Sequence, residues 1–143
     1  MKASRTIDVT ELSKLQAAAE ELSKDLQRPC LLLLHGDLGS GKTTLVQALV
    51  KALGGTAARS PTYALHQTYE TPQGQVDHLD LYRLKEEAEL YTVGWQDILQ
   101  DKTALVCVEW PKLVESVGFS PQWKVWNLRL WQDETNRRWL QIS

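Results

Sequence analysis

Gly36-Asp37-Leu38-Gly39-Ser40-Gly41-Lys42-Thr43-Thr44 is the stretch whose reading decides the fold. It fits the pattern G-x-x-x-x-G-K-[ST], with Gly36, Gly41, Lys42 and Thr43 in the fixed places. Its surroundings agree with the pattern. Leu31-Leu32-Leu33-Leu34 precedes it as an unbroken apolar run, as expected of a strand buried on both faces. Leu45, Ala48, Leu49, Ala52 and Leu53 follow at helical spacing, and Gly54-Gly55 predicts the stop of that helix. In such a strand–loop–helix unit the glycines let successive backbone N–H groups turn inward onto phosphate oxygens. The helix start adds its positive dipole end. Lys42 is expected to reach the β- and γ-phosphates, and the Thr43 hydroxyl to ligate Mg²⁺. The predicted ligand is a nucleoside triphosphate.

Bulk composition narrows the field. The chain has 143 residues, enough for one domain with a sizeable core and too few for two. Charged residues make up 24% and hydrophobic ones 43%, as in an ordinary soluble globular protein. The net charge of −2 argues against a large basic surface that grips nucleic acid unaided. Cys30 and Cys107 each sit in an apolar run and read as small buried hydrophobes in a reducing compartment. No stretch is long and apolar enough to span a membrane, and the N-terminus lacks a signal peptide's apolar centre. A cytoplasmic location is expected.

Working outward, Thr6 to Val9 predicts a short edge strand. Leu12, Leu15, Ala19, Leu22 and Leu26 mark one face of a helix, with Asp8 or Thr10 as candidate N-cap. Thr62 to Tyr69 and Gln75 to Tyr82 read as a hairpin across Thr71-Pro72-Gln73-Gly74. Glu86 to Tyr91 and Trp95 to Gln100 predict two short helices around Gly94. Ala104 to Val108 is a second buried strand, ending at Glu109. Lys124 to Trp131 and Arg137 to Ile142 alternate about a turn at Asp133 to Asn136, a closing hairpin. The expected architecture is a single α/β domain over residues 1–143, a P-loop NTPase three-layer sandwich. Its mixed sheet has a parallel core around the loop and antiparallel hairpins.

A phosphate loop needs an acid from a neighbouring strand end to hold the metal or its water. Glu109 follows an apolar strand and lies where such strands open toward the ligand crevice. Asp80 is the second candidate. In Val76-Asp77-His78-Leu79-Asp80-Leu81-Tyr82, alternation puts Leu79 and Leu81 on one face and His78, Asp80 and Tyr82 on the other. On periodicity alone, an ordinary exposed strand aspartate reads equally well there. Thr62, in a Pro-bounded loop, is a candidate switch hydroxyl for the γ-phosphate or simply a turn residue. His35, His66 and His78 show no metal-ligand spacing and read as structural. Arg83, Arg137 and Arg138 are candidate phosphate or ribose contacts, or solvated surface residues.

With these residues in view the chain resembles the bacterial TsaE family, formerly called YjeE, small ATPases of tRNA threonylcarbamoyladenosine biosynthesis. The resemblance rests on GDLGSGKTT (36–44), SPTY (60–63), HLDLYRL (78–84), Glu86-Glu87 through Gly94-Trp95, and VEWP (108–111), in order and spacing. It implies that Lys42 and the loop amides hold the phosphates of ATP. It likewise implies Thr43 and Glu109 as Mg²⁺ ligands, and Asp80 on a switch-like strand by the γ-phosphate. The Ser60-Pro61-Thr62 segment then corresponds to a first switch. By the same resemblance the N-terminal region and the C-terminal hairpin approach the nucleotide, which recruits Thr10 or Glu11 and Arg137. Ala64 stands where a small hydroxyl residue is common, and Asn136 where the hairpin tip often has Gly.

The implied function is a partner-dependent ATPase that supports the TsaD and TsaB proteins, which transfer threonylcarbamate to the adenosine beside the anticodon. The implied contact with tRNA is indirect, through that complex. The chief alternative is a P-loop small-molecule kinase. Kinases usually carry an Arg-bearing lid, and Lys112 to Gln122 is short and has no Arg. A GTPase would carry an N/T-K-x-D motif late in the chain, and none is present.

Overall fold

The computed structural model describes residues 4–56 and 65–143. Its elements run β1 (Arg5–Asp8), α1 (Leu12–Asp25), β2 (Cys30–His35), α2 (Lys42–Ala52), β3 (His66–Thr71) and β4 (Gly74–Asp80). A 3-10 helix (Glu87–Val93), α3 (Trp95–Gln100), β5 (Leu105–Glu109), α4 (Lys112–Val117), β6 (Lys124–Gln132) and β7 (Arg138–Ile142) complete the chain.

The strands form one sheet in the order β1-β7-β6-β2-β5-β4-β3. β2 runs parallel to both β5 and β6, and β5 runs parallel to β4. The pairs β3/β4, β6/β7 and β1/β7 are antiparallel. The mixed sheet is therefore as expected, with one refinement. β6 is a member of the parallel core, so the closing hairpin is built into the sheet's centre and is not an appendage.

Strand β2 is apolar throughout because its two faces serve two cores. Cys30, Leu32 and Leu34 join one cluster with α1 and α2, through Leu15, Ala19 and Leu22 and through Leu45, Val46 and Leu49. Leu31 and Leu33 join another on the opposite face, with Leu90 and Val93 of the 3-10 helix, Trp95 and Ile98 of α3, and Val114 of α4. Strand β5 divides the same way: Leu105 and Cys107 face α1 and α2, whereas Val106 and Val108 face the other helices. Both cysteines are free and buried. Among the described residues, no helix is long and apolar enough to cross a membrane.

Several local expectations change. Neither Asp8 nor Thr10 caps α1; Glu11 holds the N-cap position and makes no side-chain cap. The Asp8 carboxylate instead accepts from the Thr10 amide at 3.0 Å and its hydroxyl at 2.6 Å. The Thr10 hydroxyl oxygen in turn accepts from the Arg138 amide at 2.9 Å, so this segment ties the chain start to β7. Leu12 opens the apolar stripe as the first residue of α1 yet is 58% exposed. The segment Glu86 to Tyr91 is a 3-10 helix with a Glu86/Glu89 capping box, and Gly94 breaks it from α3 at a positive φ of 80°. Helix α4 has no counterpart in the sequence reading, being too short to show a period. His66, read as structural, is buried with Nε2 2.7 Å from Asp77 and Nδ1 2.9 Å from the Val93 carbonyl. It stitches the β3/β4 hairpin to the 3-10 helix.

The β6/β7 turn rests on Asp133. Its carboxylate accepts from the Thr135 amide and hydroxyl, the Arg137 amide and the Trp139 indole, all within 3.1 Å. Asn136 takes the left-handed conformation, φ 67°, that Asn tolerates better than most side chains. Hydrogen bonds from Thr135 and Trp139 push the Asp133 carboxyl down to about 2. A carboxyl lowered on folding stabilises above its free value of 3.8, and that contribution is lost as pH falls through about 2. Asp133→Ala should therefore flatten the acid limb of the stability profile between those values, measured by denaturant unfolding at each pH.

Candidate nucleotide-binding site

The loop Gly36 to Gly41 leaves the end of β2 and turns directly into α2. Gly36 has φ 153°, and a Cβ there would lie 2.5 Å from the Ser40 hydroxyl and 2.6 Å from the Leu130 carbonyl. Only glycine fits that crossing between the loop and β6. Gly41, at φ 105°, is the N-cap of α2, so the helix N-terminus opens immediately before Lys42. That end is a natural anion site, because its first N–H groups lack intrahelical partners.

Lys42 is buried, its Nζ donating to the Gly36 carbonyl and lying 3.5 Å from the centre of the Trp110 ring. Trp110 itself is at φ 58°, strained for a bulky residue, and its ring contacts that of Tyr82 at 5.0 Å. Burial lowers the Lys42 ammonium below the ordinary lysine value, against the opposing pull of Glu109, Asp80 and Asp37.

Glu109 closes the site from the end of β5, 4% exposed. Its Oε2 accepts from the Thr43 hydroxyl at 2.8 Å and from His78 Nε2 at 2.6 Å. Burial pushes this carboxyl up, but the hydrogen bonds from His78 and Thr43, with the His78 and Lys42 charges, outweigh it and hold it below the usual range. Because the Thr43 hydroxyl spends its hydrogen on Glu109, its oxygen lone pairs stay free for a cation. Asp80 pairs in register with Glu109 on the neighbouring β4, is exposed, and accepts from the Tyr82 amide at 3.1 Å. Leu38, Lys42, Thr43, Asp80, Glu109 and Trp110 line one open cleft of about 430 Å³.

A second hollow of about 180 Å³ adjoins it, sharing Ser40, Gly41, Thr44 and Arg138 and walled by Val9, Thr10, Leu12 and Leu130. Of the hairpin arginines it is Arg138 that reaches the loop, donating to the Gly39 carbonyl at 3.2 Å. Arg137 is turned to Asp8 at 2.9 Å. Glu11 lines neither hollow, whereas its neighbours Thr10 and Leu12 do. Thr62, with the rest of its segment, lies outside the described residues.

Sequence reasoning thus read His78 as structural and, among its candidate arginines, recruited Arg137 to the nucleotide and not Arg138. A signal for His78 was present, since alternation already put it on the face of Asp80. It lies diagonally from Glu109 across parallel strands, His78 pairing with Cys107 and Asp80 with Glu109. Arg137 precedes β7 and turns to Asp8, whereas Arg138 opens the strand and reaches the loop, and one-residue uncertainty about a turn decides which of the two does so.

Among the described residues, no group of three or more His, Cys, Asp or Glu could by itself hold a metal ion. Two hard oxygen donors, Thr43 and Glu109, beside the glycine-rich loop are of the kind that suits Mg²⁺, which takes few protein ligands and keeps much of its shell as water.

A family model described as "Threonylcarbamoyl adenosine biosynthesis protein TsaE" matches residues 9–140. A tRNA threonylcarbamoyladenosine biosynthesis protein TsaE from Rickettsia bellii is 36% identical over 118 residues, 81% of this chain and 80% of its own length. The protein of that name from Aquifex aeolicus is 48% identical over 69 residues, 46% of this chain and 52% of its own length. Among solved structures, Bacillus subtilus YdiB covers 99% of this chain and 86% of its own, with a TM-score of 0.69 and 20% identity, a likeness of fold.

Two outcomes follow from the geometry. Gly36→Ala should cost about 1–3 kcal/mol in denaturant unfolding, because a glycine-favoured φ and a close contact are imposed on alanine together. Glu109→Gln removes the largest charge that opposes the burial of Lys42. The Lys42 side chain should then titrate at lower pH than in the parent protein, read from its Cε resonance by NMR; an unchanged titration would separate the two groups.

Proposed function

Because the chain belongs to the TsaE family, whose role is in tRNA threonylcarbamoyladenosine biosynthesis, we propose that it is an ATP-binding ATPase activated by partner proteins. In this reading it acts with TsaD and TsaB in the cytoplasm, meets tRNA through them, and does not itself transfer the threonylcarbamoyl group. The observation that carries the reading is the Thr43–Glu109 hydrogen bond, which joins the start of α2 to the end of β5 beneath a phosphate-sized cleft.

Each residue then has a task. The loop amides of Gly36 to Thr44 and the α2 N-terminus receive the β- and γ-phosphates, and Lys42 exchanges the Gly36 carbonyl for phosphate oxygen. Thr43 and Glu109 hold Mg²⁺, which when bound neutralises charge developing on the phosphate oxygens. Asp80 lines the same cleft and orients the attacking water. The apolar hollow with Thr10, Leu12 and Leu130 accepts the base, and Arg138 stands between base and phosphates. Neither Glu11 nor Arg137 has such a task unless the chain start rearranges. Thr62 keeps the role of a switch hydroxyl.

Among the described residues Arg138 is the arginine in the cleft lining, and in this reading it stands toward the base, so turnover by the protein alone should be slow. The test is Mg-ATP hydrolysis alone and with the TsaD–TsaB pair and tRNA, with ATP competed against GTP. Low basal turnover that rises with the partners is expected. Lys42→Ala should also lose nucleotide affinity, and Glu109→Ala should lower kcat by about 10²-fold or more. Phosphate transfer to a small metabolite, at a rate indifferent to TsaD and TsaB, would make the protein a kinase instead.

A further inference from the structure

Glu109 presents a physical problem that the loop does not solve. Its carboxylate is 4% exposed at the end of a strand buried on both faces. A buried carboxylate is costly unless hydrogen-bonded, and a glutamate side chain has several rotors by which it can turn away. Two donors meet it, Thr43 Oγ1 at 2.8 Å and His78 Nε2 at 2.6 Å, and both converge on Oε2. Among the described residues none reaches Oε1. A carboxylate only accepts, so His78 Nε2 carries the proton of that bond.

The two donors differ in what else they must do. Thr43 lies at the exposed mouth of α2, and its oxygen is the group offered to the cation. His78 is 7% exposed, inside the sheet on β4, and faces Glu109 diagonally from the next strand. It is outside the cleft lining, so nucleotide does not compete for it.

We propose that His78 is a positioning residue of the nucleotide site: it pins Glu109 through Oε2, leaving Oε1 free for a cation to which Thr43 offers its oxygen lone pairs. His78 is thus the donor that stands outside the cleft and that a cation does not engage, and the metal-side acid is a His78–Glu109 unit spanning β4 and β5. This inference rests on the reading of Glu109 as the metal-holding acid. Partners one step behind a metal ligand typically set affinity by about 10–100-fold through orientation alone.

The test compares the parent protein with His78→Leu and His78→Gln, since Gln keeps an N–H donor. The readouts are the Mg²⁺ concentration for half-maximal partner-stimulated ATPase, ADP affinity by calorimetry with Mg²⁺ or with EDTA, and thermal unfolding of the metal-free protein. His78→Leu should raise the Mg²⁺ requirement about 10–100-fold and weaken Mg-ADP binding, with metal-free ADP affinity kept within about twofold. His78→Gln should recover most of the loss. A residue that served packing alone would weaken both forms of ADP binding equally and show no recovery with Gln. A His78→Leu protein with the parent's Mg²⁺ requirement would overturn the proposal. If His78→Leu does not fold, long-range ¹H–¹⁵N spectra of the parent decide: Nε2 should stay protonated and its hydrogen protected in the Mg-ADP complex, and an unprotonated Nε2 there would overturn it. A parent protein whose ADP affinity ignores Mg²⁺ would instead sink the metal-site reading, while the spectra would still report the His78–Glu109 bond by itself.

Discussion

The parallel pairing of β2 with β5, and of β5 with β4, is the constraint on which the rest depends. Parallel strands end on the same edge of a sheet. The register Leu34–Glu109 and Asp80–Glu109 therefore sets the loop after β2, the acid of β5 and the acid of β4 side by side. No local sequence signal could align them, since these residues lie far apart along the chain. What holds the register is burial: the leucines of β2, and the run Leu105 to Val108 of β5, alternate between two cores, and a one-residue slip would exchange the cores.

At that edge the fold buries three ionisable side chains, as it buries the His66–Asp77 pair farther along the sheet. Lys42, His78 and Glu109 are each at most 7% exposed, and each is answered by a partner: the Gly36 carbonyl and Trp110 ring for Lys42, and Thr43 and His78 for Glu109. The pKa directions agree with this arrangement. Burial prevails over nearby acids at Lys42, whereas hydrogen bonds prevail over burial at Glu109. The same edge carries the strained backbone of Trp110, held where its ring covers Lys42 and meets Tyr82. A fold keeps such a residue where surrounding contacts over-determine it, and the contacts here are those of the site.

The chain's two ends supply the remaining wall. Asp8, Thr10, Arg137 and Arg138 form a polar seam that locks β1 and the entry to α1 onto β7. The seam leaves Arg138 against the loop and an apolar hollow beside it, so the termini shape the site although neither belongs to the strand–loop–helix unit. Asp133 steadies the adjoining hairpin turn and thereby the start of β7.

Local chemistry made much of this legible in advance. An apolar run, three glycines, a Lys-Thr pair and a helical period determine a strand, a loop and a helix N-terminus. Alternation determines the hairpins, and the run into Glu109 marks a strand-end acid. These features depend on neighbours in the chain, and backbone sterics and periodicity read neighbours well. Tertiary structure alone decided that β6 enters the parallel core, that Asp8 and Thr10 bind β7 and not a helix end, and that Arg138 faces the loop. It also decided that His78 touches Glu109, where the histidine by itself read as structural. Each of these is a pairing between distant segments, set by which strands lie adjacent and in what register, and that choice is made by burying two cores at once.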